Sequence, residues 1–245
     1  LCCAAMADGA RAEAITVAAA ADLKFALEEV ATAFRAAHPN DKVEVIYGSS
    51  GKFHTQIQNG APFDLFFSAD IAYPRELQQK RLTAGEPTLY AIGRIVLWSR
   101  DARLAKLPLQ DVGAEKAIRK FAIANPQHAP YGRRAMEALK QQGAWPAIEP
   151  RLVLGENIAH TAQFVDTGAA EAGIIALSLA LSPTMAERGT WTLIPAEWHE
   201  PLEQAFVVTR RGAGKPLAEN FARYVASPPA RVILRRYGFV LPGEQ

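Results

Sequence analysis

Apolar residues recur along the chain with two different periods. Short runs rich in β-branched or aromatic residues, such as ITVAAA and VEVIYG, have the length and composition of buried strands. A longer stretch, DLKFALEEVATAFRAAH, places its apolar residues three or four positions apart, on one face of a helix: Leu23, Leu27, Val30 and Phe34. The period then switches repeatedly between these two types, which predicts strand–helix units in succession.

The repeated switching predicts an α/β protein with a mostly parallel sheet, or two such sheets. The predicted strands are ITVAAA, VEVIYG, DLFFSA, RIVLWS, KFAIA, RLVL and AGIIAL. Besides the first helix, helices are predicted at about 50–59, 71–80, 131–142 and 158–167. Neither a sequence repeat nor a low-complexity linker occurs, so we expect any second domain to be joined by ordered strands.

Composition narrows the class of protein. A chain of 245 residues that is 49% hydrophobic can bury a substantial core, as one large domain or two small ones. The net charge of +2, from 27 basic and 25 acidic residues, forms no basic stripe, so we expect no nucleic-acid partner. No apolar stretch approaches the roughly 18 to 20 residues that span a bilayer.

The first twelve residues, LCCAAMADGARA, resemble the end of a secretory signal, and we exclude 1–12 from the fold prediction as a signal-peptide remnant. Both cysteines, Cys2 and Cys3, lie there, about 3.8 Å apart at Cα and too close for an easy disulfide. A lipid anchor on one of them is the less favoured alternative. The remaining chain has no cysteine, which excludes thiol catalysis, zinc–thiolate sites and iron–sulfur clusters.

Five strand-to-helix junctions carry the candidate chemistry, because ligands of open α/β sheets bind where strands end and helix N–H groups lack partners. They are AAAADL, YGSSG, FFSADIAYP, FAIANPQHAPYGRRA and LGENIAHTAQF. Each alone is an ordinary turn with a helix cap: Asp22, either Ser49 or Ser50, Asp70, or Asn157. Together they offer small residues and free N–H groups with no Lys or Arg before the helix proper. This set favours a small anion bound by neutral donors.

The stretches ITVAAAADL, YGSSG, NGAPFDLFFSAD, YAIGRIVLWS, NPQHAPYG and RRYGFVLP, in this order, closely resemble the periplasmic molybdate-binding proteins of bacterial ABC importers. The resemblance extends from about residue 13 to residue 242. NGAPFDLFFSAD followed by an NPQxAPYG segment is highly specific to that family, whereas any single piece is not.

The resemblance implies a type II periplasmic binding protein fold, in which two α/β lobes are joined by two crossing strands. Lobe one would comprise 13–90 plus 207–245 and lobe two 91–206, with YAIGRIVLW and EQAFVVT as hinge segments. It also implies a periplasmic, monomeric, non-enzymatic protein without a cofactor. Such a protein captures molybdate, and tungstate, between its lobes and delivers the anion to the membrane permease of an ABC transporter.

The family's ligand contacts carry over to six positions: Ala21, Asp22, Ser50, Ala69, Tyr131 and Ile158. No cation site is implied, since the metal enters as an oxyanion. Where one branch of the family has a ligand-binding tyrosine after a GI-apolar strand, this chain has Ala176, which leaves one hydroxyl fewer.

Asp22 is the unexpected residue, because the family usually has Ser or Asn at this position. Against a dianion about 4 Å away, at an effective dielectric near 20, repulsion is about 4 kcal/mol per charge pair and roughly 8 in all. We expect the carboxylate to turn back and cap the N–H groups of Lys24 or Phe25. Asp22→Asn would then bind molybdate as well or better, whereas a large loss would favour a proton on the acid or on the anion.

Other functions are weighed against this one. Five histidines, His38, His54, His128, His160 and His199, could contribute to a metal site or a metal-dependent enzyme, but no HxH, HExxH or GxSxG motif is present. An iron site would need clustered tyrosines and carboxylates, and the six tyrosines are scattered. A sensor domain would need a helix-turn-helix, and none is found. Sulfate and phosphate remain alternative ligands, since the sequence gives donors but not cavity size.

Overall fold

The computed structural model describes residues 13–244, which form two five-stranded sheets flanked by helices. The predicted signal remnant 1–12, with Cys2 and Cys3, lies outside the described residues. The strands are β1 (Ala14–Ala20), β2 (Lys42–Gly48), β3 (Leu65–Ser68), β4 (Thr88–Gly93), β5 (Ile95–Ser99), β6 (Phe121–Ala124), β7 (Leu152–Gly155), β8 (Ala172–Ala176), β9 (Thr190–Leu193) and β10 (Leu202–Val208). The helices are α1 (Lys24–Ala37), α2 (Ser50–Gln58), α3 (Ala72–Gln79), α4 (Ala102–Ala105), α5 (Pro130–Gln141), α6 (Trp145–Ile148), α7 (Ile158–Thr167), α8 (Leu177–Ala180), α9 (Pro183–Arg188), α10 (Pro216–Val225) and α11 (Pro228–Arg236).

The two sheets have related topologies. The first has the strand order β2-β1-β3-β10-β4 and the second the order β7-β6-β8-β5-β9. In each sheet the first three strands are parallel, and the last two pair antiparallel with their neighbours. The predicted α/β class and two-sheet architecture are confirmed, but the sheets are mixed rather than mostly parallel. The strands next to the crossings between the sheets are β4, β5, β9 and β10, and of these β10 and β5 run opposite to the three parallel strands of their sheets.

The chain crosses between the sheets twice. At the first crossing β4 ends at Gly93 in the first sheet and β5 begins at Ile95 in the second. At the second, the chain leaves β9 and enters β10 at Leu202. The predicted lobe limits, 13–90 plus 207–245 and 91–206, therefore cut through β4 and β10. We propose instead that lobe one comprises 13–93 plus 202–244, with lobe two between them.

Each sheet is covered on both faces by apolar side chains. In lobe one, Leu27 and Phe34 of α1 pack with Phe221 of α10 on one face, and Phe53 of α2 packs with Leu77 of α3 on the other. Lobe two has one continuous core, which also includes alanines at the ends of the lobe-one strands, Ala20, Ala21 and Ala69. These small residues let the strand ends of lobe one approach lobe two. Among residues 13–244, no helix combines the length and apolarity needed to cross a membrane.

Candidate functional site

A small cavity lies between the lobes, where the strand-to-helix junctions of both sheets meet. Its lining includes all six predicted contact residues: Ala21, Asp22, Ser50, Ala69, Tyr131 and Ile158. Its volume is about 10 Å³. This is about the space that one water-sized group needs, far below the roughly 300 Å³ of the smallest drug-sized sites. The cavity therefore excludes a drug-sized molecule and leaves room only for a small ligand such as an ion.

Helix starts supply most of the polar groups at this cavity. Helix α2 begins at Ser50, α5 at Pro130 and α7 at Ile158, and a short 3-10 turn begins at Ala21. The first N–H groups of a helix have no partner within it, and the helix dipole adds partial positive charge there. Asn157 caps α7 by accepting from the His160 N–H at 2.9 Å, as predicted, and leaves the N–H of Ile158 available.

Ser50 is 1% exposed, and its hydroxyl oxygen accepts a hydrogen bond from the Ala69 N–H at 3.0 Å. The backbone of Ala69 thus holds the serine oxygen, which leaves the Ser50 hydroxyl proton to donate into the cavity. Ala69 was predicted as a direct donor to the ligand. In this conformation the Ala69 N–H is already engaged by the Ser50 oxygen.

Asp22 is 1% exposed and does not cap α1. Its Oδ2 accepts hydrogen bonds from the Tyr131 hydroxyl at 2.9 Å and from Gln204 Nε2 at 2.7 Å. The expectation that it caps Lys24 or Phe25 is wrong, because Asp22 lies inside the 3-10 turn Ala21–Leu23, whereas a capping residue stands in extended backbone before the helix. Its carboxylate instead joins the two lobes.

A buried hydrogen-bond network surrounds the Asp22 carboxylate. Gln204 of β10 donates to both Asp22 and the Tyr131 hydroxyl, the latter at 3.0 Å, and accepts from the Tyr90 hydroxyl at 2.7 Å. Ser178 donates to the Asp22 carbonyl oxygen at 2.8 Å. Sequence reasoning missed Tyr90, Ser178 and Gln204. Gln204 did carry a signal, since a polar residue within the apolar strand QAFVV needs a buried partner.

Burial raises the pKa of Asp22 from 3.8 to about 6, and the hydrogen bonds from Gln204 and Tyr131 limit the increase. Burial likewise raises the pKa of Tyr131 well above its ordinary value, and the charge of Asp22 adds to that shift. Burial also raises the pKa of Tyr90 well above its ordinary value, again with a contribution from Asp22. Both tyrosines therefore stay neutral donors, while the acid titrates near neutral pH.

The outer rim of the cleft is closed by backbone contacts between the lobes. The Gly51 N–H donates to the carbonyl oxygen of His128 at 3.0 Å, and the Ser49 hydroxyl donates to the same carbonyl. Ser49 Oγ also lies 2.9 Å from Nδ1 of His128. Because the serine proton goes to the carbonyl, Nδ1 must be the protonated ring nitrogen in this contact. His128 thus joins the lobes.

Ion pairs flank the cleft on both sides. Lys52 of lobe one meets Glu156 of lobe two at 2.8 Å. Asp70 of lobe one meets Arg133 at 3.1 Å and Arg134 at 4.0 Å, and it also accepts from the Ala72 N–H at 2.9 Å. Asp70 was predicted to cap α3, but the residue directly before the helix is Ile71, so Asp70 lies one position too early to be the cap. The side chains of both arginines contact Asp70 across the cleft, and that of Arg134 is only 14% exposed.

The side chains considered for a metal site do not lie together in the structure. Residues 13–244 contain no group of three or more His, Cys, Asp or Glu side chains placed to hold a metal ion. A larger depression of about 730 Å³ lies beside the cavity, with Lys24, Phe25 and Gln163 in its lining. It shares only Ala21 with the six predicted contacts. The buried donors from both lobes meet in the smaller cavity, and we place the site there.

Comparison with known proteins agrees with this geometry. Residues 15–240 match the family described as bacterial extracellular solute-binding protein. The chain is 35% identical to the molybdate-binding protein ModA of Azotobacter vinelandii over 96% of this chain and 93% of that protein. It is 34% identical to ModA of Rhodobacter capsulatus over 81% of this chain and 77% of that protein. The structure of the Azotobacter vinelandii periplasmic molybdate-binding protein gives a TM-score of 0.85 at 34% identity, covering 93% of this chain and 99% of that one.

Proposed function

The chain belongs to the bacterial extracellular solute-binding protein family, with relatives that include the molybdate-binding protein ModA, and from this we propose that it binds molybdate. It captures the anion between its two lobes and delivers it to the membrane permease of an ABC importer. Tungstate, which has the same tetrahedral form, is bound by the same donors. The protein acts as a periplasmic monomer and catalyses no reaction.

The observation that carries this proposal is the small, closed cavity at which helix starts of both lobes meet. Lobe one contributes Ala21 and Ser50, whose oxygen is held by the Ala69 N–H, and lobe two contributes Tyr131 and Ile158. An oxyanion needs several directed hydrogen bonds, and preorganised N–H groups supply them without a mobile cation that would attract unrelated anions. The donors of both lobes can contact one ion only when the cleft is closed.

Ligand capture would couple the site to the shape of the whole molecule. An anion that enters the open cleft gains contacts from the second lobe as the lobes rotate together, so it favours the closed state. The permease would then recognise the closed pair of lobes. Closure of the lobes on the anion needs no cofactor. The ligand is an oxyanion, and its oxygen atoms face the protein.

Thermal unfolding of anion-free protein tests the proposal, with molybdate, tungstate, sulfate or phosphate added separately at constant ionic strength. A ligand at about 100 times its dissociation constant adds about 2.7 kcal/mol of stability. We expect a raised midpoint with molybdate and tungstate and none with sulfate or phosphate. A shift with sulfate or phosphate instead would assign the site to that anion, and no shift with any of the four would contradict anion capture.

A further inference from the structure

Asp22 lines a cavity of otherwise neutral groups, and one oxygen of its carboxylate has no hydrogen-bond partner among the described residues. Among the lining residues, only Asp22 and Tyr131 are ionisable. Oδ2 of Asp22 is occupied by Tyr131 and Gln204, whereas Oδ1 is buried and has no hydrogen-bond partner among residues 13–244. A buried acceptor without a donor is costly. The proposed ligand brings only oxygen atoms, so it cannot supply that donor unless a proton comes with it.

The elements packed around Asp22 do not supply a compensating charge. Tyr131 faces it from α5, Gln204 from β10 and Ser178 from α8, and Tyr90 of β4 lies behind Gln204. All four are neutral, since burial raises the pKa of both tyrosines well above their ordinary values. No cationic group contributes to the pKa of Asp22. A bound dianion beside an ionised Asp22 would therefore be repelled at short range.

We propose that anion binding at this site is proton-linked, with one proton held between Oδ1 of Asp22 and an oxygen of the bound dianion. This inference rests on the proposed function and specifies its chemistry. The proton comes from solvent and converts the carboxylate to a carboxylic acid, whose O–H donates to the anion. The charge of the pair falls from −3 to −2, and the free Oδ1 gains the partner that it lacks. Asp22 thus becomes a determinant of specificity that responds to pH.

The acid titrates in the range that makes this step feasible. Burial raises the pKa of Asp22 to about 6, so protonating it at pH 7 reduces affinity by only about tenfold. Above that pKa the free acid is ionised, and each added pH unit weakens binding by about a further factor of ten. Below it the acid already carries its proton and the dependence on pH disappears.

Isothermal titration calorimetry of the anion-free protein with sodium molybdate tests the proposal, at pH 6.5, 7.5 and 8.5 and in two buffers of different ionisation enthalpy. We expect the dissociation constant to rise about tenfold per pH unit, with uptake of about one proton at the higher pH values. A dissociation constant that is independent of pH, with no proton uptake, would overturn the proposal.

Asp22→Asn is the matched variant, because the amide oxygen can accept from Tyr131 and Gln204 while its N–H group replaces the acid O–H. The affinity of Asp22→Asn alone does not show whether the wild type binds a proton with the anion, since the amide donor substitutes for the protonated acid. The pH dependence of the dissociation constant does show this. In Asp22→Asn that dependence should vanish, together with the proton uptake. If the dissociation constant of Asp22→Asn still rises with pH, the proton belongs to another group and the proposal is overturned.

Asp22→Ser serves as a second variant, and its dissociation constant for molybdate should also be independent of pH. Absence of molybdate binding by the wild type and by both variants at every pH would instead contradict the proposed function itself.

Discussion

Single residues at this site act mainly through the groups that they hold in place. The Ala69 N–H fixes the oxygen of Ser50, and Gln204 and Tyr131 fix one oxygen of Asp22. These hydrogen bonds leave two side-chain groups without a partner among the described residues. One is a donor, the Ser50 hydroxyl proton, and the other is an acceptor, Oδ1 of Asp22. Such preorganisation reduces the entropy that a ligand must lose to order its contacts. The chemistry of the cavity is therefore set by residues that do not all touch the ligand.

Ser50→Ala should weaken molybdate binding by about 10- to 150-fold, because a hydrogen bond to a charged group contributes about 1.5–3 kcal/mol. Titration calorimetry at pH 6.5 measures the change. Thr55→Ala is the control, since Thr55 is exposed on the same helix and its hydroxyl bonds only to the Gly51 carbonyl. Equal affinity in Ser50→Ala and wild type would show that the Ser50 hydroxyl serves the Ala69 N–H and not the anion.

At the scale of elements, hydrophobic periodicity predicted most strands and the longer helices up to residue 176, and it missed the elements near the C-terminus. The predicted helix 158–167 is α7 as observed, and the ends of the helices predicted at 50–59, 71–80 and 131–142 differ from the observed ones by no more than one residue. The pattern did not identify β9, which is half exposed, or α10 and α11, which each begin with a proline. Local pattern also assigned Asp22 to a cap, because the lobe that binds its side chain lies more than 100 residues away.

The junction at the start of α2 was predicted as one wall of the site, and the structure adds that it also meets the opposite lobe. A Cβ at Gly51 would lie 2.5 Å from the carbonyl oxygen of His128 and 2.7 Å from the Tyr73 hydroxyl. The Tyr73 hydroxyl is the end of a side chain and can move, whereas the His128 carbonyl belongs to the backbone of the other lobe. Glycine at this position is thus required by closure, and the helix itself would accept alanine.

Gly51→Ala should therefore weaken molybdate binding by about 5- to 150-fold, the range for about 1–3 kcal/mol of steric strain, without lowering the midpoint of thermal unfolding of the anion-free protein. Gly132→Ala is the contrasting variant, because its Cβ would meet the Ala124 carbonyl oxygen of the same lobe at 1.9 Å. That variant should lose stability with or without the anion. A destabilised anion-free Gly51→Ala protein would mean that the contact belongs to the fold and not to closure.

At the scale of the whole molecule, the structure has the properties of a closed state. The cavity residues are almost completely inaccessible, with Asp22, Ser50 and Ala69 each 1% exposed. An ion cannot reach them unless the lobes separate. The contacts that would separate include those to the His128 carbonyl, the ion pairs of Lys52 and Asp70, and the bond from Tyr131 to Asp22. The alanines at the strand ends of lobe one would also leave the core of lobe two. The chain crosses between the lobes twice, so the lobes can rotate about these crossings.

Small-angle X-ray scattering should show this rotation. The anion-free protein should have a larger radius of gyration than the same protein with saturating molybdate, because the separated lobes lack the ligand that bridges their donors. Gly51→Ala should need a molybdate concentration higher by about the same 5- to 150-fold to become compact, since its methyl group opposes the approach of the lobes at the His128 carbonyl. Identical scattering from wild-type protein with and without molybdate would show that the closed state forms without the anion. The ion would then enter through brief openings, and the affinity lost in Gly51→Ala would measure the cost of strain within a cleft that is already closed.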